Sequence, residues 1–455
     1  MNPELSAQFL VTALAWLTLI PVVCGGVFSV LCWVAVRFGL RRVRFARLPD
    51  EQLPAVTVLK PVCGLEKGLE ENLHSICQQD YPNYQVVMSL QDPADSAREL
   101  LEKIQDQYGA DRVSLVVAEI QAGLNGKINN MLGGMRAARH DVLVISDSDV
   151  KLRADYLRTL ISPLDDPEVG AVCTLFRATR ADTWFEKLEL LSINADFIPS
   201  VVFAHLTGAS GFCLGPSVAF RRQTLEEIGG FESLADYLVE DYEIGRRVWT
   251  SGKRMDLVPY MIDKVVDLAN VKDWWDHQVY WDQNTRSARP AAFFATIVTR
   301  AVPFSLLYAA LRGFDGTGLV VLLATVALRT VTGAATVSGL GDREGRGAIW
   351  LLPLRDVLGL VSFVLAYTRR TVIWRGRKFI LTLHGRLEPV DGTNPPGVRP
   401  EERQPAAADP DSPVVGAESL VAAEDERSEN MRADARGGGK SWSSISALLA
   451  AAFLR

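Results

Sequence analysis

Two kinds of hydrophobic pattern divide the chain. Between residues 51 and 289 the apolar positions come in short runs. They are "AVTVLKP" (55–61), "NYQVVMSLQD" (83–92), "DRVSLVVAE" (111–119), the start of "DVLVISDSDV" (141–150) and "EVGAVCTLF" (168–176). Runs of this length, rich in β-branched residues, predict buried strands. Helix-like segments separate them, among them "ADSARELLEKIQDQYG" (94–109) and "KINNMLGGMRAARH" (127–140). Strands alternating with such helices predict an α/β domain with a mixed, mostly parallel sheet.

Elsewhere the apolar positions are continuous. Phe9 to Val36 contains no charged residue and exceeds the ~20 residues that cross a bilayer. A cleaved signal peptide is the competing reading, but "MNPELSAQ" has no basic n-region and the run outlasts a typical h-region. Residues 1–50 are therefore expected to be a retained anchor with a basic flank of Arg37, Arg41, Arg42, Arg44 and Arg47. By the positive-inside rule that flank puts the N-terminus outside and the 51–289 domain in the cytoplasm of a multi-pass inner-membrane protein.

Three further apolar stretches, 291–313, 316–337 and 350–367, predict a membrane-associated region over 290–388. Each holds one arginine: Arg300, Arg329 or Arg355. Three full crossings would leave the basic 369–378 segment outside, so one stretch is expected to be interfacial or re-entrant. With Arg300 and Pro303 in mid-segment, 291–313 is the candidate. The remaining 389–455 is expected to form a disordered tail, since 389–440 is too poor in aromatics to bury a core. "SWSSISALLAAAFLR" at its end could form a short amphipathic helix.

Composition narrows the function classes. The chain has 455 residues and a net charge of −6, which argues against nucleic acid as a partner. Six cysteines lack CxxC or metal-ligand spacing and read as reduced core residues.

Four acidic positions could carry chemistry. Asp92 ends a strand, where it either faces a ligand or only makes a turn before Pro93. Asp147 and Asp149 follow the 142–145 run; spaced i, i+2 on extended chain, both can reach one hard divalent cation. One of them could instead cap the helix near "RADYLRTL". Glu240 and Asp241 open a helix, where acids also suit the dipole; Asp241 qualifies as a general base only if the fold brings it to the cation site. In "DWWDHQVYWDQNTR" (273–286) the tryptophans suit either an interfacial belt or an acceptor site, and His277 is placed to join them. "AGLNGKINNM" (122–131) offers Lys127 as a point charge for phosphate and Asn129 and Asn130 as amides, but matches neither the P-loop nor the dinucleotide fingerprint.

In order and spacing, "LKPVCG" (59–64), "QDYPNYQVVMSLQD" (79–92), "GLNGKINNM" (123–131), "SDSDV" (146–150), "TGASGFCLGPSVAFRR" (207–222), "GGFESLADYLVEDYEIGRRV" (229–248) and "HQVYW" (277–281) resemble the membrane glycosyltransferases of family 2 type with the GT-A fold. More narrowly they resemble the ceramide glucosyltransferase family (family 21) and bacterial relatives that glycosylate hopanoids. The resemblance implies a UDP-sugar donor, glucose or N-acetylglucosamine, and a lipid hydroxyl acceptor. It implies Lys60, Pro61, Asp92, Lys127, Asn129 and Asp147 on the donor side, with Asp149 and Asp147 holding Mg²⁺ or Mn²⁺. Asp241 would be the catalytic base of an inverting transfer, with His277 and Trp281 beside it. One departure stands out: the family's (Q/R)xxRW element has tyrosine, Tyr280, where arginine usually precedes the tryptophan. The alternatives are a processive polysaccharide synthase and a catalytically impaired scaffold of the same fold.

Overall fold

The computed structural model of the chain describes residues 3–40, 48–209, 211–374 and 377–390. The expectations for Arg41 to Arg47 and for 391–455 lie outside the described residues.

Eight strands build one sheet: β1 (Val56–Pro61), β2 (Tyr84–Leu90), β3 (Val113–Val117), β4 (Val142–Ser146), β5 (Val150–Lys151), β6 (Val169–Thr179), β7 (Ser217–Arg221) and β8 (Arg254–Val265). Their order is β3-β2-β1-β4-β7-β6-β8-β5. β3, β2, β1 and β4 are mutually parallel. β7 runs antiparallel to both β4 and β6, while β8 is parallel to β6 and antiparallel to β5. Every residue of β1, β2 and β4 is buried, so these strands read as continuous apolar runs without alternation. Their C-terminal ends form one rim, where open α/β sheets place their ligands.

The hydrophobic pattern foresees β1 to β4 and β6 but not β7 or β8. Pro259 interrupts the β8 pattern. It falls in the register shift between Val258 and Met261 opposite β6, a bulge where a missing N–H is tolerated. The helix foreseen over 127–140 runs only from Gly126 to Met135. The N–H groups of Arg136 and Ala137 turn back to the Gly133 and Gly134 carbonyls at 3.2 and 3.0 Å, tightening the chain out of the helix.

A helix from Pro3 to Val34, continued as a π-helical turn to Gly39, forms the N-terminal element. Helical segments Pro290–Thr299 and Ala301–Leu311 meet at a 54° bend, followed by Gly316–Gly339 and Arg343–Thr368. Three of these helices are long and apolar enough to cross a membrane, or four if the bent pair is one span. A Cβ on Gly25 would lie 2.5 Å from the Thr299 carbonyl oxygen; the missing side chain lets the N-terminal helix close on the bend.

The bend is in the segment where the sequence foresees an interruption, yet another helix keeps to the α/β domain. Glu344 accepts from the Arg180 and Ala181 N–H groups at 3.2 and 2.9 Å. Arg355 Nε donates to Ser192 Oγ at 3.0 Å, and Ser362 Oγ donates to Asp282 at 2.6 Å. Just past the helix, Gln283 Nε2 donates to the Arg369 and Thr371 carbonyls at 2.9 and 3.1 Å. Residues 343–371 thus touch the domain along their whole length. By contrast, Tyr308, Leu311 and Arg312 border a cavity of about 330 Å³ against Val11 to Trp16 of the N-terminal helix.

A small antiparallel sheet, β9 (Thr371–Trp374), β10 (Arg377–Leu381) and β11 (Leu387–Pro389), closes the described chain. Val372, Phe379, Leu381 and Leu387 pack with Leu124 and Leu238, and Tyr280 lies against them. This sheet clamps two loops at the rim. Among the six cysteines none is disulfide-bonded, and Cys32, Cys77, Cys173 and Cys213 are buried.

Candidate active site

β4 delivers Asp147 and Asp149 to the rim. The next helix begins only at Tyr156, with Asp155 at its N-cap position, so neither carboxylate is that helix's cap. Ser148, between them, points the other way: its hydroxyl donates to Glu66 at 2.6 Å and its carbonyl accepts from Asn72 at 3.0 Å. Each aspartate meets a lysine. Lys127 Nζ lies 2.7 Å from Asp147 Oδ1, and Lys264 of β8 pairs with Asp149 Oδ2. Burial opposes charge on Asp147, but Lys127 and Lys264 overcome it and hold the carboxyl below its ordinary range. Beneath the pair, Lys60 of β1 is fully buried. Its ammonium donates to Ser146 Oγ at 3.1 Å and to the Asp147 carbonyl. Burial lowers Lys60 to about 8, against the attraction of Asp147 and Asp149.

Lys127 joins two elements. Asn125 caps its helix, accepting from the Lys127 and Ile128 N–H groups at 2.8 and 3.2 Å, the usual service of an N-cap amide. The Asn125 amide also donates to the Tyr237 carbonyl and to Glu240 at 2.6 and 3.2 Å. Lys127 Nζ then reaches Glu240 Oε1 at 2.8 Å. The strand end bearing Asp147 is thereby tied to the helix Glu240–Thr250, whose second residue is Asp241. Burial raises the Asp241 carboxyl to about 6, the neighbouring Glu240 charge adds to this, and Lys127 opposes it. A carboxylate tuned near neutrality suits a general base. Gly215 makes room for it: a Cβ there would lie 2.7 Å from Asp241 Oδ2.

The helix Val271–Ala288 supplies the third wall. Tyr280 is within electrostatic reach of Glu240, Asp241 and Lys127, and burial pushes its phenol up. His277 stacks on Tyr280 with ring centroids 6.3 Å apart. Trp281 Nε1 donates to His277 Nε2 at 2.8 Å, and His277 Nδ1 lies 3.1 Å from Glu189 Oε1. The Trp281 N–H occupies Nε2, while Nδ1 is buried beside the Glu189 carboxylate without a hydrogen bond among the described residues. Of the three, Tyr280 is the one within electrostatic reach of the carboxylates, and His277 and Trp281 are hydrogen-bonded to each other.

Not every residue named from the sequence lands in this cluster. Asp92 is exposed at the end of β2, where its carboxylate accepts from the Ala94 N–H at 2.8 Å. Asn129 spends its amide on the loop before its helix, accepting from Ala122 and Gly123 and donating to the Gly123 carbonyl at 3.1, 3.2 and 2.9 Å. Pro61 closes β1 opposite Ser89. Conversely Lys264, Glu66, Asn125 and Glu189 are at or beside the site without a sequence signal that singles them out; they come from a strand hidden by Pro259, two loops and a helix.

A divalent cation fits the donor set. Asp149 Oδ1 is buried with no hydrogen-bond partner among the described residues, and Asp147 and Asp149 are hard oxygen donors. Among the described residues no group of three His, Cys, Asp or Glu gathers as a metal cage. Two carboxylates without a cage is the arrangement that suits a cation shared with substrate phosphates.

Comparison with known proteins agrees in kind. The model of "Glycosyl transferase family 21" matches residues 17–387. Ceramide glucosyltransferase 3 of Caenorhabditis elegans is 24% identical over 380 residues, covering 78% of this chain and 79% of the worm protein. An N-acetylglucosaminyltransferase of Rhizobium meliloti (strain 1021) is 28% identical over 297 residues, 62% of this chain and 66% of its own. A solved mannosyltransferase from Pyrobaculum calidifontis, in complex with GDP-Man and Mn2+, aligns with a TM-score of 0.45 at 20% identity, over 77% of this chain and 99% of its own. With a family model spanning most of its length, from the N-terminal helix to β11, the chain belongs to glycosyl transferase family 21.

Proposed function

We propose that the protein transfers glucose or N-acetylglucosamine from a UDP-sugar to the hydroxyl of a membrane lipid such as a ceramide or hopanoid, with inversion at the anomeric carbon. One observation carries this reading. Lys127 bridges Asp147 and Glu240, drawing the strand-end carboxylates and the tuned Asp241 into one site. Asp241 takes the acceptor's hydroxyl proton, the oxygen bonds to the anomeric carbon, and the bond from that carbon to the diphosphate breaks. Lys127 and Lys264 face the rim where the departing diphosphate's charge builds up. Asp149 and Asp147 would hold Mg²⁺ or Mn²⁺, which supplies charge neutralisation of the diphosphate when bound. The contacts of 343–371 with the domain support one membrane arrangement. The N-terminal helix, the bent pair and 316–339 cross the bilayer, while 343–368 lies in the interface under the catalytic domain. Three crossings return the basic 369–378 segment to the cytoplasmic side together with the domain.

The test is a radiolabelled UDP-glucose and UDP-N-acetylglucosamine assay on membranes with lipid extracts, with and without Mn²⁺. A lipid-soluble labelled product that disappears in Asp241→Asn is expected. Long water-soluble polymer would instead identify a polysaccharide synthase, and no transfer from either donor a scaffold.

A further inference from the structure

Asp149 is held twice by β8. The Val265 N–H donates to the Asp149 carbonyl at 2.8 Å. Lys264, opposite Val150 in the β5–β8 register, pairs its ammonium with Asp149 Oδ2. The ladder fixes the Lys264 backbone, while the flexible four-carbon stem lets the ammonium swing. The other carboxyl oxygen, Oδ1, is buried with no hydrogen-bond partner among the described residues. One oxygen is therefore open to a metal, and the other already carries a cation.

The two lysines at the rim are not alike. Lys127 lies between Asp147 and Glu240, 2.7 and 2.8 Å away, so it can release Asp147 and still keep a carboxylate. Lys264 has Asp149 as its one ion-pair partner among the described residues. Glu66 is within its electrostatic reach, but that carboxylate already accepts from the Ser148 hydroxyl at 2.6 Å. Lys264 and Lys127 are also within reach of each other. A divalent cation arriving alone adds its charge to two ammoniums. To take both oxygens of Asp149 it must also strand Lys264, and a partly buried charge without a partner is costly. A nucleoside diphosphate removes that obstacle, because its oxygens accept the ammonium that Asp149 gives up.

We propose that Lys264 is a resident stand-in for the divalent cation, a positioning residue that holds Asp149 in the free protein and yields it when a nucleoside diphosphate arrives. The proposal rests on the metal and nucleotide part of the transfer reading above. Metal and nucleotide then bind with positive coupling, each tightening the other by the same factor.

The experiment is Mn²⁺ binding to the purified full chain in detergent, followed by loss of the free-Mn²⁺ electron paramagnetic resonance signal, with and without UDP. The binding counted is the part that Asp149→Asn removes. In the wild type UDP should tighten Mn²⁺ binding about ten-fold or more. Lys264→Met, and Lys264→Gln as a second neutral variant, should bind Mn²⁺ without UDP about ten-fold more tightly than the wild type, and the factor added by UDP should shrink. Lys264→Arg keeps the charge and should keep Mn²⁺ binding weak until UDP is added. A cooperative melt checks the fold of each variant. Mn²⁺ binding without UDP that both neutral variants leave unchanged or weaken would overturn the proposal, as would wild-type binding that UDP does not tighten. Sugar transfer persisting in either case would leave the transfer reading standing. The expected lysine dependence and UDP coupling with no transfer from any donor would overturn the transfer reading alone.

Discussion

Two buried ionic clusters lie on either side of the helix 271–288, and they differ in what they leave open. At the junction with the membrane helices, Arg329 pairs with Asp356 at 2.8 Å and Arg355 with Asp196 at 2.7 Å. Cross-contacts complete the set: Arg329 to Asp196 at 3.4 Å and Arg355 to Asp356 at 3.3 Å. Two cations meet two anions, and Arg329 also donates to the Ala195 carbonyl at 3.2 Å. At the sheet rim, Lys127 is shared by Asp147 and Glu240, Asp241 is left with no lysine of its own, and Asp149 keeps an open oxygen. Both clusters are expensive to desolvate. The closed one fastens helices 316–339 and 343–368 to the domain, while the open one retains valences for a substrate. Burial and charge alone do not mark a site; unmet partners do.

The sharpest way to break this comparison is Asp241→Asn. If the rim is catalytic, the rate should fall ~10²–10⁴-fold in the transfer assay while UDP-dependent thermal protection persists. Stability should move the opposite way. The folded Asp241 carboxyl is raised to about 6, so the folded state holds its proton more tightly than the unfolded chain and wild-type stability falls as pH rises through that window. The variant escapes this loss, and its melting temperature should exceed that of the wild type increasingly from about pH 4 to pH 7. A variant that melts lower at pH 7 would put Asp241 among the structural residues. Asp149→Asn is expected to cost the rate ~10²–10³-fold and to raise the Mn²⁺ concentration needed for half-maximal activity.

The closed cluster should respond in stability rather than in chemistry. Asp356→Ala leaves Arg329 and Arg355 with Asp196 as their one shared carboxylate and should cost about 3–5 kcal/mol, read as a lower melting temperature in detergent. Turnover per folded molecule should stay within a few-fold of wild type. The double variant Arg329→Met with Asp356→Leu removes both charges and should recover most of that loss. No recovery would mean that the pair contributes more than its mutual attraction.

How far the sequence carried the site follows from the same distinction. Asp147, Asp149, Lys127 and Asp241 were legible because each ends a strand or opens a helix, where local pattern and chemistry coincide. Lys264 was not, since Pro259 broke the β8 pattern that would have placed it. Tyr280 reads in the sequence as a missing arginine. In the fold it is a half-buried phenol against Leu124 and the small sheet, a setting no local pattern encodes. Asn129, a donor-side residue by resemblance, has its amide engaged in closing the 122–123 loop. The same limit applies to the membrane segments. Hydropathy ranks 316–337 and 350–367 alike, and in the fold both reach the domain, the first through Arg329 to Asp196 and the Ala195 carbonyl, the second through Ser192 and Asp282, contacts that no local pattern encodes.

The smallest expected effect tests how the rim sets its base. Asp241 must be ionised to accept a proton, so kcat/KM should rise with pH through about 6 and then level, standing near one-tenth of the plateau at about pH 5. Next to burial, the Glu240 charge is the larger of the causes raising Asp241. Glu240→Gln removes that charge and also frees Lys127 from one of its two partners, and both changes favour ionised Asp241. The acid limb should therefore shift to lower pH, leaving the variant relatively more active than wild type below pH 6 whatever happens to its plateau. Asn125 can still donate to the glutamine oxygen, so the cap of the Lys127 helix is preserved. A limb that stays in place would assign the titration to another group and detach Asp241 from the role of base.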